Sequence, residues 1–248
     1  MMIRKRLENT SIEIKGKKVP VKIYNEMRNN VRASIGKRAV ILRFPLLLSK
    51  SQREKQLTHF YSWVEQQFEK HANLSTRFFG KEYQDGDQLT VGERNYLLKI
   101  VTTENRNHNA KLKNGFIQIN LAKGTSEFNL DKSTKSLLSR VVAQDFLPEI
   151  IRRVNELNQL YFKNDVKNIR LKYNQSNWGS CSIKGNVNLS TRLLFAPQDV
   201  IDYVIIHELA HFREMNHSAS YWKIVAEAMP DYKEKEKWLK KNGHLCDF

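Results

Sequence analysis

The chain has 248 residues, 40% of them apolar, and 42 Lys and Arg against 26 Asp and Glu give a formal net charge of +16. That length and apolar content support one large or two ordinary domains with a core of their own, and two cysteines, Cys181 and Cys246, with no CxxC pair exclude a disulfide framework and a zinc ribbon. The charged start MMIRKRLENT lacks an apolar h-region and no uncharged run reaches the ~18 residues of a membrane span, so a cytoplasmic chain with no membrane partner is expected.

Residues 11 to 48 contain IEIKGKKVPVKIY and AVILRFPLLLS, whose β-branched alternation around KGKK predicts a hairpin followed by another strand. From Ser49, Leu57, Phe60, Tyr61, Val64 and Phe68 recur at helical intervals and predict an amphipathic helix that packs across the sheet. LTVGERNYLLKIV and GFIQINLA, within residues 89 to 121, return to strand and are separated by the polar stretch TTENRNHNAKLKN, which reads as a turn-bearing loop. KGTSEFNLDKS reads as a polar connector. The domain boundary is placed there, near residues 123 to 133, so that a β-rich basic region, 1–125, precedes a second region, 126–248.

A long helical pattern follows through Leu137, Val141, Phe146, Ile150, Val154 and Leu157, with Pro148 expected to kink or divide it. After Lys163 come VKNIRLKYNQ, NWGSCS and GNVNLSTRLLFA. Val187 and Leu189 alternate with Asn186, Asn188 and Ser190 beyond the turn-like IKGN, which predicts a hairpin whose second strand is a candidate sheet edge. Pro197 suits the first turn of a helix and the remainder is helical. Pro230 closes one of these helices, Asp231 and Glu234 resemble a capping box for the next, and Gly243 ends it. No internal repeat or low-complexity tract is visible. The overall expectation is an α+β fold.

HELAHFREMNH, residues 207 to 217, holds three of the seven histidines. Val200, Val204, His207 and His211 share one stripe of a helix, so two imidazoles point together. Glu208, one position on, is rotated about a quarter turn away and flanks that pair without joining it, the HExxH arrangement of zinc hydrolases. A catalytic zinc takes three protein ligands and leaves a fourth position open, and His217 is the candidate for the third. In a continuous helix His217 would lie ~9 Å farther along the axis and far around from His211, so a bend is required between Arg213 and Asn216. The spacing equals that of HExxHxxGxxH, but Glu214 stands where that motif has Gly, and Asn216 is the nearby residue best suited to a left-handed conformation. Ordinary hydrogen-bonded helix histidines are the competing reading. They leave unexplained why Glu and two His sit in the otherwise apolar YVIIHELAHF, where uncompensated polar burial is expensive.

From NWGSCS through HELAHFREMNHSASYW to KWLKKNG the chain resembles the YgjP-like predicted metal-dependent hydrolases, relatives of the SprT-type zincins. The match rests on Trp178, Gly179, Ser180 and Cys181, then His207, Glu208 and His211, then His217, Ser218 and Trp222. The resemblance implies a β-rich N-terminal half followed by a zincin-like catalytic domain with an HExxH active-site helix. It also implies one catalytic Zn2+ on His207, His211 and His217, with Glu208 as acid/base. That family usually has a basic residue before Trp-Gly-Ser-Cys, where this chain has Asn177.

The expected chemistry is amide hydrolysis of a peptide or protein held in extended form against a sheet edge, for which GNVNLS is the candidate. Cys181 fits a packed, inert thiol, with a fourth, inhibitory ligand or a redox handle as the alternatives. Trp222, Val225 and Met229 form a stripe of core character. The basic excess is uneven: 20 basic against 10 acidic residues in 1–100, 15 against 8 in 101–200 and 7 against 8 in the last 48. Such a surface attracts nucleic acid, although a solvated charged surface accounts for it as well. The alternatives to a free peptidase are therefore a nucleic-acid-associated protein with the same zinc site and a protease acting on DNA-linked proteins.

Overall fold

The computed structural model describes residues 6–36, 39–79, 81–124 and 127–248. The chain divides into two compact units, Met1–Lys81 and Glu82–Phe248.

In the first unit, β1 (Arg6–Ile14) and β2 (Lys17–Glu26) form the expected hairpin. Lys15 and Gly16 both adopt positive φ, the two-residue turn whose twist matches the flanking strands. β3 (Arg32–Ile35) and β4 (Val40–Pro45) form a second antiparallel pair, and β4 lies parallel to β2, giving the order β1-β2-β4-β3. Alternation sends Val19, Val21 and Ile23 of β2 and Val40, Leu42 and Phe44 of β4 to one face. Helix α1 (Lys50–Lys70) begins at a capping box of Ser49 and Gln52 and lays Phe60, Val64 and Phe68 on that face, with Leu74 of α2 (Ala72–Phe79) beside them.

The second unit opens with a sheet built the same way. β5 (Gln88–Val91) pairs with β6 (Arg94–Thr103), β7 (Asn109–Lys113) with β8 (Phe116–Ala122), and β8 lies parallel to β6 in the order β5-β6-β8-β7. Two hairpins joined through their second strands and followed by a helix thus occur twice in one chain. The repeat is one of topology, carried by strand order and turn positions. β7 occupies the stretch expected to be a loop, because Asn114 and Gly115, both at positive φ, close a tight hairpin that pairs even the polar NAKLK.

Helix α3 (Glu127–Leu157) covers the inner face of this sheet. It begins inside the stretch expected to be a connector and runs through Pro148. Buried Val142 on one side of the proline and Ile150 and Val154 on the other anchor both halves in one core. The boundary expected near residues 123 to 133 falls inside the second unit, at the junction of β8 and α3. Leu137, Leu138 and Val141 of α3 share their core with Leu98, Ile117 and Ile119 of the sheet, so sheet and helix belong to one compact unit.

A second sheet follows, with β9 (Asn168–Lys172), β10 (Gly179–Cys181) and β11 (Asn186–Ser190) in the order β10-β11-β9. The β10–β11 hairpin is as expected, but β11 is central, because β9 pairs with it in parallel along its other side. The edge strands are β9 and β10. Helices α4 (Gln198–Ala210), α5 (Ala219–Ala228) and α6 (Tyr232–Asn242) complete the unit. Asp231 is the N-cap of α6 but makes no cap hydrogen bond; its carboxylate is taken by Lys235 at 2.9 Å, so the capping box does not form. Among the described residues no helix is long and apolar enough to cross a membrane.

Candidate metal centre

Helix α4 is the element that fixes the histidine segment. Val200, Ile201, Tyr203, Val204, Ile205, Ile206 and Leu209 are all buried, so its apolar residues anchor it on several sides at once. Its one other buried acid besides Glu208 is Asp202, gripped through both oxygens by the Arg153 guanidinium of α3 at 2.8 and 2.6 Å. A helix held this firmly presents its last turn in one orientation.

His207 occupies that last turn and His211 is the C-cap. The helix then tightens through the bonds Phe212 N–H to Leu209 O and Arg213 N–H to Ala210 O, at 3.2 and 3.0 Å, before Ser218 N–H reaches Asn216 O at 2.7 Å. The bend required by the spacing is present. Asn216 is not among the residues at positive φ, so the turn is made by helix tightening and not by a left-handed asparagine. Ser218 then caps α5, its side chain accepting from Tyr221 N–H.

The bend brings His217 back onto the other two rings. Ring centroids lie 5.1 Å apart for His207 and His211, 5.0 Å for His207 and His217 and 4.8 Å for His211 and His217. One nitrogen from each falls within 4.8 Å of the others. The Nε2 atoms of His207 and His217 are 3.2 Å apart. Lone pairs at that distance repel unless a proton or a cation lies between them, and two ligands ~2.05 Å from one tetrahedral ion would stand ~3.3 Å apart. The donor set therefore fits a zinc ion.

The electrostatics favour neutral rings at His207 and His211. Burial, and then the neighbouring His211 and His217, push His207 down to about 3, and burial lowers His211. The Nδ1 of His211 lies 3.1 Å from the Glu214 carbonyl, which places its N–H there and turns Nε2 toward the other rings. The Nδ1 of His207 is buried without a hydrogen-bond partner, so packing alone orients that ring.

Glu208 is 5% exposed and its carboxyl is pushed up to about 8 by burial. It lies against β10, where a Cβ added to Gly179 would stand 2.5 Å from Glu208 Oε1 and 2.7 Å from its Cγ. Glycine is thus needed at position 179 for the carboxyl to occupy this place. Two residues on, the Cys181 thiol is raised to about 11 by burial first and the Glu208 charge second. A protonated thiol suits the packing role, and Cys181 is not in the histidine cluster.

Tyr221 is a site residue that the spacing argument passed over. It is fully buried, its hydroxyl donates to the His207 carbonyl at 2.9 Å, and its ring stacks on His211 with centroids 4.6 Å apart. The available signal was its place four residues beyond His217, in the first turn of α5. Trp222, expected as core, is half-buried. It stacks on exposed His217 at 5.8 Å and on Tyr232 at 5.2 Å, making a column that steadies the least buried of the three imidazoles.

The family model of the YgjP-like metallopeptidase domain matches residues 29–242. The chain belongs to the YgjP-like family. It is also 22% identical over 119 residues to the UTP pyrophosphatase of Escherichia coli (strain K12), a match covering 46% of this chain and 68% of that protein. Two solved metallopeptidase zymogens, abylysin of Pyrococcus abyssi and jannalysin of Methanocaldococcus jannaschii, align at 24% and 23% identity. They cover 37% of this chain and 93% and 94% of their own, each with a TM-score of 0.34.

In this YgjP-like chain Trp178 is clasped by the Arg192 guanidinium, 4.6 Å from its ring. That guanidinium also donates to the carbonyls of Cys246 and Gly243 at 2.8 and 2.7 Å. Trp178 thereby anchors the start of β10 and delivers Gly179 to Glu208. Asn177, at the position where a basic residue was expected, is exposed and accepts from the Asn174 amide.

Proposed function

We propose that the chain is a zinc-dependent peptidase in which His207, His211 and His217 hold the metal and Glu208 is the general base and acid. The observation that carries this reading is the convergence of three imidazole nitrogens within 4.8 Å, with a buried carboxyl next to His207 on α4, in a chain of a metallopeptidase family. The chemistry zinc supplies in such a donor set is polarisation of a carbonyl oxygen and acidification of water.

The protein's own groups do the remainder. Burial raises the Glu208 carboxyl, and a cation held by the neighbouring imidazoles would favour its ionised form, which would accept a proton from water and return it to the leaving amine; the glycine-lined niche keeps that carboxyl from turning to solvent. β10 is an edge strand next to Glu208, and its backbone is available to align an extended peptide by added β pairing. This moves the proposed docking edge from GNVNLS to Gly179–Cys181. Gly179→Ala tests the niche: it should lower kcat about 10²-fold, the cost of displacing a catalytic group by about 1 Å, with zinc content unchanged. Unaltered turnover would show that the carboxyl does not act from this position.

A second reading rests on the relative whose activity is on UTP. The same donor set and base would serve hydrolysis of a phosphoanhydride. Zinc-loaded protein incubated with unstructured peptides and, separately, with UTP distinguishes the two. The peptidase reading expects new peptide termini by mass spectrometry, suppressed by a chelator, with UTP left intact. Chelator-sensitive pyrophosphate release with no peptide cleavage would replace it.

A further inference from the structure

The sheet β5-β6-β8-β7 has one face packed under α3 and an opposite face that is open at Leu97, Lys99, Lys111 and Lys113 and closed at its far end, where Ala122 is buried. Register fixes what the open face carries. Leu97, Phe116 and Lys113 lie in one row across β6, β8 and β7, and Lys99, Gln118 and Lys111 lie in the next. Beyond them sit Val101, Asn120 and Asn109, whose amides join in a chain, Gln118 to Asn120 at 3.1 Å and Asn120 to Asn109 at 2.8 Å. On the β5 side the outward positions are Gln88, Thr90 and Asn95. Lys99, Lys111 and Lys113 are exposed, as is Leu97 at 50%, and Phe116 is half-buried.

No acidic residue occupies an outward position of these four strands. The contrast with the first unit is instructive, because the corresponding face there carries Glu13 and Glu26, and Glu26 takes Arg43. Lys99 and Lys111 stand two strand spacings apart, ~10 Å, with an aromatic ring and a leucine one row away. Lysines that share this face with no acidic residue of the described strands, beside Leu97, Phe116 and a row of amides, match a polyanion whose rings are free to lie on the sheet. A duplex hides its base faces in the stack; a single strand offers both phosphates and bases.

We propose that the open face of β5-β6-β8-β7 is a docking surface for single-stranded nucleic acid. Lys99, Lys111 and Lys113 contact phosphates, and Phe116 with Leu97 forms the platform for a base. Helix α3 lies between this face and α4, so docking here is separate from the histidine cluster.

The test is fluorescence anisotropy of the full chain with a labelled single strand of about 20 nucleotides, as DNA and as RNA. Lys99→Glu, Lys111→Glu and Lys113→Glu combined should weaken binding at least about tenfold and make the slope of log affinity against log salt shallower by about 2, three contacts at ~0.7 each. Phe116→Ala should weaken it about tenfold with the salt slope unchanged. A control of equal charge change, Lys55→Glu, Lys70→Glu and Lys237→Glu, should stay within about twofold of the parent. Zinc content and hydrolysis of unstructured peptide should be the same in all three, which keeps this outcome distinct from that of the metal site. Absence of binding, an equal loss in the control, a duplex bound as tightly as the single strand, or displacement of the strand by phosphatidylserine vesicles or polyglutamate would each overturn the proposal.

Discussion

Glu208→Gln is expected to lower kcat about 10³-fold while the protein keeps its zinc and its fold. The substitution preserves shape, so the niche against Gly179 stays filled and β10 stays in place. What disappears is the group that accepts a proton, worth 10²- to 10⁴-fold in enzymes that use one. Because Glu208 stands beside the imidazole cluster and contributes no ligand atom to it, metal content separates its role from that of its neighbours. Loss of zinc in Glu208→Gln would make Glu208 a ligand or a support of the cluster; full turnover would remove it from the mechanism.

His217→Ala is expected to weaken zinc binding by roughly 10²- to 10³-fold, taking ~3 to 4 kcal/mol as one ligand's share of a four-ligand site. His217 is the exposed member of the cluster, sits beyond the helix end, and is steadied by Trp222 and Tyr232. Its removal takes one ring contact from Tyr221 and leaves α4 and the core in place. Competition against a chromophoric chelator should therefore show a large loss of affinity with little change in thermal stability of the metal-free protein. An affinity within a few fold of the parent would mean that two imidazoles and some other group make the site.

Where the local pattern carried enough information, sequence and structure coincide. The spacing from Leu57 to Phe68 announces α1, KGKK marks the first hairpin, and the stripe from Val200 to His211 lies on α4. The histidine cluster was legible for a related reason: two imidazoles four residues apart on a buried helix converge by geometry alone, and the third needs only a bend of the right length. The bend itself was legible and its chemistry was not. Asn216 has the intrinsic preference for a left-handed turn, yet successive short backbone bonds at Phe212 and Arg213 turn the chain with φ negative throughout.

Non-local pairing explains the other differences. β11 alternates like a half-exposed edge strand, but β9 arrives from the far side of a long helix to cover it. Polar NAKLK has little strand propensity, and the Asn114–Gly115 turn together with the neighbouring β8 draws it into the sheet. Pro148 would break an isolated helix, while in α3 buried residues on both sides hold it within a continuous one. Tyr221 and Gly179 act only through what folds against them, a carbonyl and a carboxylate brought from elsewhere in the chain.

The most direct measurement is elemental analysis of the purified protein beside His211→Ala, each incubated with one equivalent of zinc and passed through a desalting column. His211 is the C-cap of α4, and α4 is held by its buried apolar residues and by Arg153 on Asp202, so His211→Ala deletes a proposed ligand without freeing the helix. The account predicts about one zinc per chain in the parent and nearly none in the variant. A parent that retains no zinc, or a variant that retains as much as the parent, would contradict it.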